Sequence, residues 1–170
     1  MIKTNFAISG LAVLLLSSPS YADLQVQFIE GAPKDRFVIM NVGSCDLGPA
    51  EFTIDFAASN AGLIFDVTGT GAGVEVFQPF EVTDGAQYLA KVPVILDGDQ
   101  RATLPMTGLG QNETIAFTID VDDTNGTREI TVTGNEISGT TFSLMSDNAT
   151  YSVVMNDSAQ VAIPTATCGT

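Results

Sequence analysis

From residue 24 onward the chain is built of short stretches in which apolar and polar residues take turns. Leu24, Val26 and Phe28 fall on one side and Gln25 and Gln27 on the other, the period of two expected of a half-buried strand. Residues 51–56 repeat the pattern, with Phe52, Ile54 and Phe56 on the inward side. Residues 36–41 are more uniformly apolar and read as a more fully buried strand. Further strands are predicted at 63–67, 74–77, 101–104, 140–145, 150–155 and 160–163, with one or two more across 87–96 around Pro93. Turn clusters separate them, at 31–35, 59–62 and 97–99. No helical period occurs beyond the N-terminus, and no repeat of fixed length stands out. About ten short strands, with turn signals every 8 to 12 residues or so, predict an all-β antiparallel sandwich of jelly-roll kind.

The strongest local signal lies at 115–133, IAFTIDVDDTNGTREITVT. Asn125-Gly126 between two alternating runs predicts a hairpin closed by a type I′ turn, because that turn needs positive φ at both central residues. In that register Asp123 faces Arg128, Asp122 faces Glu129, Val121 faces Ile130 and Ile119 faces Val132. Asp120 is then a diagonal neighbour of the Asp122–Glu129 pair, and like charges set opposite one another destabilise a sheet unless something offsets them. Calcium takes several hard oxygen ligands, so Asp120, Asp122 and Glu129 are the candidate metal ligands, with Asp123 a weaker fourth. The alternative is a solvated acidic face that holds no ion. The spacing matches neither an EF-hand loop nor the glycine-rich calcium repeats.

The N-terminus has a different pattern. Lys3, the apolar run 11–16 and the small-x-small triplet Ser20-Tyr21-Ala22 make a secretory signal peptide over residues 1–22, cleaved near Ala22. The expected mature chain, 23–170, is a single domain, secreted or periplasmic, with no segment long and apolar enough to span a membrane as a helix. Its acidity is marked: 20 acidic against 6 basic side chains give the whole chain a net charge of −14. Such a field repels nucleic acid and favours cations or basic partners. The charges stand singly among apolar residues, so they do not signal disorder. In an oxidising compartment the two cysteines, Cys45 and Cys168, are expected to form one disulfide.

Catalytic chemistry is poorly supplied. There is no histidine, and no Gly-x-Ser-x-Gly elbow occurs, so no catalytic residue is assigned. A two-carboxylate hydrolase is the least favoured reading, since the chain has no tryptophan and three tyrosines with which to hold a sugar. The glycines of 69–73 do not lead into a helix, as a dinucleotide fingerprint requires, and read as a flexible hairpin loop. Asn112, Asn125 and Asn148 each begin an N-glycosylation triplet, which has meaning only in a host that glycosylates.

GAPKDRF at 31–37, GLIFDVT at 62–68, GVEVFQPFEV at 73–82, FTIDVDDT at 117–124 and GTREITV at 126–132, with the positions of both cysteines, resemble the small exported bacterial proteins labelled "aggregation factor core". That label links them distantly to the core component of the sponge aggregation factor. The resemblance implies calcium-dependent cell adhesion, while the single small domain departs from the sponge assembly. It carries over no binding residue. The expected function is an exported, non-enzymatic interaction protein that meets a protein or glycan partner. A small-molecule or glycan-binding module is the alternative.

Overall fold

The computed structural model describes residues 21–73, 77–125, 131–146 and 149–167. Ten strands run in chain order: β1 Tyr21–Ile29, β2 Asp35–Asn41, β3 Ala50–Asp55, β4 Ile64–Asp66, β5 Glu81–Asp84, β6 Arg101–Met106, β7 Thr114–Asp122, β8 Thr141–Ser146, β9 Ala149–Val154 and β10 Gln160–Thr167. They form two antiparallel sheets. One has the order β10-β1-β2-β7-β4, with β5 also paired to β7; the other is β6-β3-β8-β9. The protein is thus an all-β sandwich, as the alternation predicts.

The core lies between the inner faces. Leu24, Val26, Phe37, Ile39, Ile115, Phe117 and Ile119 come from the first sheet, and Phe52, Ile54, Leu104, Phe142 and Leu144 from the second; each is fully buried. Phe37 is the hub of the aromatic packing, with its ring centroid 5.2 Å from Phe117, 5.1 Å from Phe28 and 6.4 Å from Phe56. These faces are what period-two alternation builds: every second residue meets the opposite sheet.

β7 is an inner strand of its sheet, and here the structure departs from the predicted hairpin. Ile119 pairs with Asp35 of β2, not with Val132. The other edge of β7 is shared: Thr118, Phe117 and Ala116 pair with β5, and Asp120, Val121 and Asp122 pair with β4. Both edges are therefore occupied by strands distant in sequence. After Asp122 the chain turns onto another loop, where the Thr124 and Asn125 amides both donate to Ala61 O at 3.1 Å and Thr124 Oγ1 donates to Gly62 O at 2.7 Å. Thr133 caps a four-residue helix, α1 Gly134–Ile137, through a capping box with Glu136, instead of continuing a strand. Residues 126–130, Glu129 among them, lie outside the described residues.

The expected strands at 87–96 do not form. Residues 86–88 make a 3₁₀ turn, and 91–96 are in no strand. β6 extends through Pro105 to Met106, beyond the expected 101–104. Of the predicted strand at 74–77, residues 74–76 lie outside the described set. Asn41, fully buried, shapes the loop that carries Cys45: its Nδ2 donates to Cys45 O at 2.8 Å and Leu109 O at 2.9 Å, and its Oδ1 accepts from the Gly43 amide at 3.0 Å. Cys45 packs partly buried against the core, and the described residues contain no free cysteine. Cys168 lies outside them. No helix among the described residues is long and apolar enough to cross a membrane.

Candidate functional site: carboxylates beneath a glycine loop

The end of β7 keeps the predicted separation of faces. Ile119 and Val121 point into the core, while Asp120 and Asp122 project from the opposite side. That side is not open to water as a solvated acidic face would be. Asp122 is 5 % exposed, and Asp66, which stands opposite Asp120 on β4, is 0 % exposed. Three carboxylates thus sit on one patch of sheet, where β4 brings Asp66 beside Asp120.

The roof of this patch is the glycine-rich loop 69–73, and its glycines are required by close approach. Gly73 has φ +85°; a Cβ there would overlap Asp122 Oδ2 and lie 2.6 Å from Asp66 Oδ2. Gly71, at φ +138°, is pressed in the same way onto Asp97 Oδ2. The loop is therefore packed onto carboxylates, a tighter arrangement than the flexible hairpin expected of it. Asp97 organises it, accepting from the amides of Val67 at 3.1 Å, Thr68 at 3.3 Å and Ala72 at 2.8 Å. The Ala72 amide, helped by the Val67 amide and opposed by burial, holds the Asp97 carboxyl below the ordinary carboxylate range.

A second pair adjoins the first. Asp35, 3 % exposed, accepts from the Gly31 amide at 3.2 Å and the Val121 amide at 3.1 Å, which ties the 31–35 turn to β7. Burial pushes its carboxyl up to about 7, against the pull of those two amides, and the charge of Asp120 adds to the rise. Burial and then the charge of Asp122 push Asp120 up to about 6, with Lys34 opposing. Lys34 is itself paired with Glu81 at 3.2 Å.

Of the four candidate ligands, Asp120 and Asp122 thus share a face, Asp123 is half-buried just beyond the strand, and Glu129 lies outside the described residues. Asp66 was not anticipated. The signal available for Asp66 was its place in an apolar run, Leu63 to Val67, where a charge costs energy unless the fold has a use for it. Among the described residues no group of three or more His, Cys, Asp or Glu side chains is arranged to hold a metal ion. The donor type, carboxylate oxygen backed by a glycine loop, suits a hard cation, and the remaining oxygens of a calcium shell would have to come from backbone and water. No family model, no curated protein and no solved structure matches the chain.

Proposed function

We propose that this chain is an exported, non-enzymatic β-sandwich that acts in cell-surface or matrix interaction, and that calcium held by Asp120 and Asp122, with further oxygens from residues outside the described ones such as Glu129, stiffens this end of β7 for that role. The observation that carries the reading is the burial of Asp66 and Asp122 together against Gly73. Buried like charges are costly unless neutralised. A divalent cation would neutralise them and bind the loop to β7. The net charge of −14 favours cations and basic partners over anionic ones. The absence of histidine removes the commonest general base and supports a role in binding over catalysis.

Thermal melting with excess calcium against excess chelator tests the cation. At a calcium concentration about a hundredfold over Kd the fold gains roughly 2.7 kcal/mol, several degrees in Tm for a domain of this size. Equal melting in the two conditions overturns the calcium reading. Adhesion is tested with beads coated in the protein, which should bind cell-envelope material in calcium and release it in chelator.

A further inference from the structure

The second sheet has an open edge. β6 is its outermost strand, and its contacts fix which backbone groups face outward. Pro105 O accepts from the Ala90 amide at 2.8 Å, and the Thr107 amide donates to Tyr88 O at 2.8 Å. Residues 105 and 107 therefore turn their backbone groups away from β3. By the alternation of an antiparallel ladder, Thr103 and Arg101 turn their N–H and C=O groups the same way. Among the described residues neither has a backbone partner on that side.

Beyond Ala90 the covering chain parts from β6. Residues 91–94 stand across from it and enclose a groove of about 660 Å³, lined also by Glu51, Asp55, Arg101 and Thr103. Val92 and Val94 of this segment are 63 % and 87 % exposed, and Leu96 continues the same alternation at 63 %. An unpaired strand edge is a template for another strand, and a row of exposed apolar side chains beside it is the usual mark of an interaction surface. Natural edges are commonly blunted by proline, yet Pro105 sits where Ala90 already covers β6, not where the edge is open.

We propose that the groove between β6 and residues 91–94 takes an extended segment of a partner protein, which adds a strand at Thr103 and Arg101 and sets apolar side chains against Val92 and Val94, with basic side chains toward Glu51 and Asp99. This is β-strand addition, in which main-chain hydrogen bonds supply affinity and alternate side chains supply specificity. Charge favours a basic guest. Within the groove Arg101 is already paired with Asp55, which leaves two acidic side chains, Glu51 and Asp99, and one basic, Lys91, among the other charged lining residues; Asp99 Oδ2 also accepts from the Leu96 amide at 2.8 Å. A second copy is disfavoured because it carries the same −14 charge and would have to bring its own 91–94 segment into the groove. The inference is independent of the calcium reading.

The test uses the purified protein in chelator and a labelled probe, acetyl-Lys-Val-Lys-Val-Lys-Val-amide, followed by fluorescence anisotropy. The probe should bind. Its acidic counterpart, with Glu for Lys, should bind about tenfold or more weakly. Of two N-methylated probes, one modified on the odd residues and one on the even, only one should lose affinity, by about tenfold for two lost hydrogen bonds, because a guest strand aims alternate amides at its host. Thr103→Pro should weaken the unmodified probe to a similar degree, since that amide faces away from β3. No binding, or equal binding of the two methylated probes, overturns the proposal. So does a dimer in sedimentation that Thr103→Pro abolishes, because the edge would then belong to a second copy.

Discussion

Asp66 stands directly opposite Asp120 across the β4–β7 pairing, with Asp122 two residues further along β7 on the same face. The facing of acidic side chains expected of a hairpin is thus present, but between strands far apart in sequence and beneath the glycine loop. The cost of that placement makes the glycines above it irreplaceable. Gly73→Ala drives a Cβ into two carboxylates at a positive φ and is expected to destabilise the fold by about 1 to 3 kcal/mol or more. Gly48→Ala, where the new methyl meets nothing within 4 Å, should be neutral or slightly stabilising. Paired melting curves of the two variants check the contrast.

The pH dependence follows from Asp35. Its carboxyl is raised to about 7 in the fold from 3.8, so the folded state holds a proton that the unfolded chain releases. The stabilisation is fully present below about pH 4 and is lost as pH rises through about 7, a few kcal/mol in all. Asp120, raised to about 6, adds in the same direction. Asp35→Asn cannot ionise and should flatten the stability profile between pH 4 and 7. A set of denaturant titrations across that range measures it; an unchanged slope would assign the dependence elsewhere.

Phe37 touches Phe28, Phe56 and Phe117 and so joins strands of the first sheet to the residue that follows β3. Truncation to alanine should cost about 3 to 5 kcal/mol. Arg101→Ala, by contrast, removes an ion pair to Asp55 at an exposed guanidinium and should cost less than about 1 kcal/mol. Urea titration distinguishes the two.

Export and the Cys45–Cys168 disulfide are tested together on protein recovered from outside the cytoplasm. Intact mass should give an N-terminus at Asp23 and a mass two hydrogens below the reduced chain. Reduction should then lower stability by up to roughly 4 to 5 kcal/mol on the chain-entropy account. A chain that begins at Tyr21 would instead keep the Tyr21–Thr167 pairing of β1 with β10.

Much of the sandwich was legible because alternation reports directly which face meets the other sheet. The strands around Val26, Phe37, Phe52 and Leu144 stand where the pattern puts them. What failed is the inference from a strong turn to a pairing partner. Asn125-Gly126 is a local signal, whereas the occupancy of both edges of β7 by β2, β4 and β5 is decided by tertiary packing, which overrides local preference. The same limit hid Asp66 from the candidate site, since nothing near it in sequence announces Asp120. Val92, Val94 and Leu96 alternate as a strand would, yet face solvent, so periodicity alone could not tell an inner strand from an outer segment. The short helix was readable in principle from Thr133 and Glu136, a capping box three residues apart.

The position of β7 has a consequence for how the chain reaches this structure. Asp35 bonds to Val121 across 86 residues, and β4 and β5 find their places only on β7. Until the chain is complete through Asp122, β2 lacks one neighbour, β4 and β5 lack their only one, and the first sheet cannot close. Contacts of such long sequence separation make folding slow and concerted. A chain stopped before residue 114 should therefore show no stable partial sandwich, and assembly of the first sheet awaits the arrival of β7.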